Sequence, residues 1–173
     1  MNKKIIILLG ASIIITFFWY MGLERVYAEI LKFSSNTVLS IMSDNTYIDI
    51  EKHDKDLVFR VHTLIDGRKG SYPQAAQSLL LPIIIILSWM TVLFYSLPGK
   101  IALKQALGNF GIFLVFQIVF MILLTSYYNS DMARFFFHIM LETFYIFAIF
   151  LIIKDSLKYP DIWSKKYVAV KNP

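Results

Sequence analysis

Hydrophobic and polar positions along this chain fall into blocks rather than an even mixture. Four apolar runs stand out, over 5–23, 79–97, 106–125 and 135–153. A helix rises about 1.5 Å per residue, so runs of this length cross the roughly 30 Å hydrocarbon core of a bilayer. Pro82 falls in the first turn of the second run, where a missing N–H is tolerated, and Pro98-Gly99 closes that run. Between the first two runs the pattern changes twice. Over 26–42 the period is helical, with Tyr27, Ile30, Leu31, Val38, Ile41 and Met42 expected on one face and Glu29, Lys32, Asn36 and Ser40 on the other. Further on, Ile48 and Ile50 alternate with Tyr47, Asp49 and Glu51, and Leu57, Phe59 and Val61 alternate with Arg60 and His62. A period of two predicts strands, with the polar stretch 52–56 as a hairpin turn and Asp66-Gly67 as a second turn. Two strands alone are marginal in water, so the hairpin is expected to lean on the amphipathic helix, the membrane face or a partner. Pro73 is expected to end this segment.

The fold class predicted is an all-α membrane protein: four transmembrane helices with a small exported α+β segment, an amphipathic helix plus a β-hairpin. Its divisions are an N-terminal anchor at 1–23, the exported segment at 24–78, a three-helix bundle at 79–153 and a basic tail at 154–173. A cleaved signal peptide is the rival reading of the first run, with Val26-Tyr27-Ala28 as a small-residue cleavage site. The run exceeds the usual apolar core of about 7–15 residues, which favours a retained anchor.

Composition sharpens this picture. The chain is 57% hydrophobic and only 17% charged, below the charge that a soluble domain carries. The net charge is +5, but its placement matters more than its sum. Lys3, Lys4, Lys100, Lys104, Lys154, Lys158, Lys165, Lys166 and Lys171 fall on one side of the four runs, opposed by only Asp155 and Asp161. Arg25, Lys32, Lys52, Lys55, Arg60, Arg68, Lys69 and Arg134 fall on the other, spread over a longer stretch and matched by acids. Positive charge on short loops and tails marks the cytoplasmic side. Both termini are therefore expected in the cytoplasm, residues 24–78 outside, and the protein in the cell (inner) membrane. Lysines that flank apolar runs point to anionic lipid headgroups at the tail rather than to nucleic acid. There is no cysteine, which excludes disulfides, thiolate metal sites, iron–sulfur clusters and a cysteine nucleophile within the chain.

Candidate chemistry centres on the last run, where Arg134, His138 and Glu142 recur every four positions and so share one helical stripe. An ionisable group inside a span is expensive and commonly functional. Glu142, Gln117 and Ser88 lie within about 3 Å of one depth along their helices. Together with His138 they form an expected intramembrane polar layer, either fixing helix register or accepting protons. Arg134 reads as an interface anchor whose head snorkels to water. His138 and Glu142 offer two metal ligands where a site needs three or four, so no metal or cofactor is expected of this chain alone. A single intramembrane histidine also cannot hold haem from both sides. Asp49, Glu51, Asp54 and Asp56 lack calcium-loop spacing and read as a solvated turn. Ala106, Gly108 and Gly111 permit close helix approach. No hydrolase elbow, zinc-protease, phosphate-loop or dinucleotide motif occurs, so no catalytic role is expected.

The layout resembles the small membrane proteins that accompany exosortases, the multi-spanning cysteine transpeptidase-like enzymes of envelope protein sorting. The likeness lies in the helix at 26–42, the strands around Ile48 and Ile50 and around Leu57 and Val61, and Tyr72-Pro73 before the second span. It implies an assisting subunit rather than the enzyme, whose chemistry needs a cysteine. The function expected is thus a non-catalytic accessory or structural subunit packed on other integral membrane subunits. The alternative is a small oligomeric transporter or proton-coupled channel using Glu142. A membrane enzyme built on His138 and Glu142 ranks last.

Overall fold

The computed structural model describes residues 3–43, 45–53, 56–65 and 67–163. Of the basic tail, Lys165, Lys166, Tyr167 and Lys171 lie outside the described residues, as do Asp54, Lys55 and Asp66 of the expected turns. Helix α1 (Lys3–Phe18) passes through a wide π-type turn (Trp19–Leu23) into α2 (Glu24–Met42). Strands β1 (Tyr47–His53), β2 (Asp56–Ile65) and β3 (Arg68–Ala75) follow, then the single turn α3 (Gln77–Leu80). Three long helices complete the chain: α4 (Ile83–Ser96), α5 (Gly99–Thr125) and α6 (Asp131–Lys158), with a 3-10 turn at Pro160–Ile162. Four helical stretches are long and apolar enough to cross a membrane: Lys3–Met42, Gln77–Ser96, Gly99–Thr125 and Asp131–Lys158.

The α1–α2 junction bends at Gly22, whose φ of 127° and ψ of −3° only glycine adopts at little cost. At the start of α6, Ser130 Oγ accepts from the Ala133 N–H at 3.2 Å, the usual N-cap arrangement. Asp131 in its first turn and Lys158 in its last complement the helix dipole.

The sheet corrects the expected two-stranded hairpin. It has three antiparallel strands in the order β1-β2-β3, with Ile48 opposite Val61 and Arg60 opposite Pro73. The third strand escapes the hydrophobic pattern because Tyr72 is the one large apolar residue in Arg68–Ala75. Pro73 lies inside this edge strand rather than ending the segment, and an edge tolerates its missing donor. Within β1 and β2 the alternation holds: Ile48, Phe59 and Val61 are buried.

The sheet leans on α2 and on one end of the bundle. Asn36 of α2 donates from Nδ2 to the Ile48 carbonyl and accepts the Ile48 N–H at Oδ1, both at 2.8 Å. This amide pairs with an edge strand as another strand would. Tyr72 Oη donates to the Leu124 carbonyl at the end of α5, and Asn129 donates to the Leu64 carbonyl. Burial pushes the Tyr72 phenol well above its ordinary pKa, with the neighbouring Tyr128 and Tyr127 adding to it.

The buried face of α2 also differs from the expected one. It consists of Tyr27, Ala28, Leu31, Ser35 and Leu39, whereas Ile30, Ile41 and Met42 are exposed. Asn36 on the expected polar face is the residue that holds the sheet. The packed stripe is set by where β1 and α5 lie against α2.

In the bundle, α1 packs on α4, α4 on α5, and α5 on α6. Phenylalanines interlock the last pair: Phe116 stacks on Phe147 at 4.3 Å between centroids, and Phe120 meets Phe137 at 4.6 Å and the edge of Phe144 at 5.0 Å. Such pairs add about 0.5–1.5 kcal/mol each beyond the area they bury.

Candidate functional site

The stripe on α6 stays a stripe, but it faces away from the bundle. Arg134, His138 and Glu142 are all exposed, while Phe137, Phe144, Ala148 and Leu151 form the inward face. Arg134 sits 3.5 Å from Asp131 and lies over the Tyr127 ring, 5.4 Å from its centroid. His138 Nε2 is 3.2 Å from the Tyr127 hydroxyl. Tyr127 thus collects the first two members of the stripe at the sheet end of α6. Among the described residues Glu142 has no hydrogen-bond or ion-pair partner.

The polar layer does not assemble within this chain. Ser88 is buried, and its hydroxyl donates to the Ile84 carbonyl of its own helix at 2.6 Å. Gln117 is also buried. Its Nε2 donates to the Leu79 carbonyl at 2.6 Å, and its Oε1 accepts from the Tyr27 hydroxyl. Gln117 therefore joins α5 to α2 and to the α3 turn rather than to α4 and α6. Similar depth brings residues to one level, but helix rotation decides which of them face each other.

The most concentrated buried polar group lies at the opposite end of the bundle from the sheet, around Asp155. This carboxylate is fully buried near the end of α6. Its Oδ2 accepts from Trp89 Nε1 at 2.8 Å and from Asn109 Nδ2 at 2.5 Å, and its Oδ1 accepts from Gln105 Nε2 at 2.6 Å. Two lysines close the rim: Lys154 Nζ donates to Asn109 Oδ1 at 2.7 Å and lies 3.5 Å from Asp155 Oδ1, and Lys158 Nζ donates to Gln105 Oε1 at 3.3 Å. A buried charge persists only where donors replace its hydration, and here α4, α5 and α6 each supply them. Both oxygens are taken up by fixed donors, so the arrangement clamps three helices together. Trp163 stacks near Trp89 at 6.0 Å, and Lys4 donates to the Asp161 carbonyl at 3.1 Å, drawing the chain beyond α6 and the start of α1 onto the same end.

In the sequence Asp155 reads only as one acid among flanking lysines. The signal that could have found it is the pair Gln105 and Asn109, four apart on one face of an otherwise apolar helix. Among the described residues no three His, Asp or Glu side chains gather as metal ligands. No protein-family model, no curated protein and no solved structure matches this chain.

Proposed function

We propose that this protein is a non-catalytic accessory subunit of a larger integral membrane complex, and that the outward stripe of α6 meets its partner. In this reading both termini are cytoplasmic and residues 24–78 are exported. The observation that carries it is Glu142, which is exposed on the lateral face of a helix apolar enough to span a bilayer. A carboxyl group facing hydrocarbon costs about 2.5–3.5 kcal/mol on insertion scales, and a donor from a neighbouring subunit removes that cost. Phe135, Phe136, Ile139 and Ile146 flank the stripe and are exposed as well, so the same face offers apolar surface for packing. The resemblance to exosortase-associated proteins agrees with an assisting role.

Purification of the tagged full chain from native membranes in mild detergent tests this. Glu142→Leu is expected to reduce the recovered partner at least about tenfold, the effect of losing one hydrogen bond to a charged group. The thermal unfolding of the chain itself should be unchanged, because the replaced side chain is exposed and makes no hydrogen bond or ion pair among the described residues. An identical set of copurifying proteins for both chains would overturn the proposal.

The second reading is a proton-coupled channel formed by several copies, with Glu142 lining a shared path. The same exposure favours it, because Glu142 would then meet neighbouring copies. Proton flux into liposomes holding only this protein, abolished by Glu142→Gln, would select that reading over the first.

A further inference from the structure

The bend between α1 and α2 opens a cleft of about 250 Å³ against the sheet, lined by Trp19, Gly22, Glu24, Arg25 and Lys52 among others. Two of these side chains leave polar atoms unmatched. Trp19 is 1% exposed, and its indole N–H has no acceptor among the described residues. Glu24 Oε1 is buried with no donor among the described residues. Both atoms are sealed from the cleft, but the other oxygen of the half-buried Glu24 carboxyl is open to it and has no hydrogen-bond or ion-pair partner among the described residues.

The charges on the wall divide the same way. Glu29 is occupied by Lys32 at 2.8 Å, and Glu51 by Arg60 at 2.6 Å. Among the described residues neither Arg25 nor Lys52 forms an ion pair, and both are exposed at the mouth. The groups left to a ligand are thus two cationic donors, Arg25 and Lys52, and one acceptor, the open oxygen of Glu24. Burial, with the neighbouring Asp56 charge, holds the Glu24 carboxyl above the usual carboxylate range, and a cation beside it would lower it again.

Depth narrows the ligand further. The cleft begins where the apolar run of α1 ends, and the turns just before it expose Ile13, Ile14, Phe17 and Phe18. Exposed Tyr20 marks this level as the headgroup layer.

We propose that this cleft binds a phosphoethanolamine headgroup of a membrane lipid. The phosphate takes the Arg25 guanidinium and the Lys52 ammonium. The primary ammonium donates to Glu24. The acyl chains lie along the exposed apolar side of α1. The proposal needs α1 to span the bilayer, but it needs no partner subunit and holds whichever leaflet the cleft faces.

The test uses the full chain in nanodiscs holding equal parts of phosphatidylethanolamine, phosphatidylglycerol and phosphatidylcholine, with native mass spectrometry of the lipid that remains bound. Phosphatidylethanolamine is expected to be retained over both others. Arg25→Gln with Lys52→Gln should weaken its retention at least about tenfold, since charge-assisted hydrogen bonds are lost. Glu24→Ala should erase the preference over phosphatidylcholine, because it removes the acceptor for an N–H that the quaternary ammonium does not have. These exposed or half-buried positions leave the core intact, and unchanged thermal unfolding confirms that each variant folds. Equal retention of the three lipids, or a preference that survives both variants, would overturn the proposal. Displacement by water-soluble phosphoethanolamine as effective as that by the lipid would overturn the lipid assignment and leave a site for the free headgroup.

Discussion

Asp155 and Glu142 are both carboxylates on α6, and their surroundings give them opposite roles. Asp155 is fully buried and receives hydrogen bonds from Trp89, Gln105 and Asn109. Removing it strands three donors in a dry interior. Asp155→Ala is therefore expected to lower stability by about 3–5 kcal/mol, the range for breaking a buried charge arrangement, as read by unfolding in mild detergent. Lys158→Ala, at the half-buried rim, should lower it by no more than about 1 kcal/mol. Equal losses for the two would show that the carboxylate is not the centre of the clamp. Glu142 carries none of this structural burden, and so its substitution reports on partners instead.

At the scale of elements, two single residues decide how the segment between α1 and α4 is arranged. Asn36 is the clasp between α2 and β1, replacing both hydrogen bonds that an edge strand would make at Ile48. Asn36→Ala leaves the Ile48 N–H and carbonyl without these partners. A loss of about 1–3 kcal/mol is expected, with hydrogen exchange accelerated at β1 amides before those of α4 or α5. Gly22 sets the bend that turns α1 into α2. An added Cβ there would meet nothing within 4 Å, so the penalty is purely one of backbone conformation at φ 127°. Gly22→Ala should destabilise the chain by about 1–3 kcal/mol, measured by thermal unfolding, although no side chain is crowded. A wild-type midpoint would mean that the bend is not held in this form.

For the whole molecule, the ends of the four apolar helices divide the polar features into two groups. The sheet, Tyr127 and Arg134 gather at one end, and Asp155, Lys154, Lys158 and the Lys4–Asp161 contact gather at the other. The proposed topology puts the second group in the cytoplasm, since its lysines outnumber its acids. A reporter fused after Pro173 that is active only in the cytoplasm is the expected result. Activity only outside would invert the orientation while leaving the fold and the lipid cleft untouched.

The hydrophobic pattern alone determined the four long apolar helices, the amphipathic α2 and the alternation of β1 and β2. Burial against lipid or against a neighbouring element selects residue types at local periods of 3.6 and 2, and such periods are legible one stretch at a time. Tertiary structure decided everything that depends on rotation and partnership. It added β3, whose polar residues follow no period because an edge strand is held mainly by its backbone. It moved the buried face of α2 onto Ser35 and turned Asn36 from a solvated residue into a clasp. It separated Ser88, Gln117 and Glu142, which share a depth but not a facing direction. It also brought Trp89, Gln105 and Asn109 to Asp155 across at least 46 residues of chain, a convergence that no local period encodes.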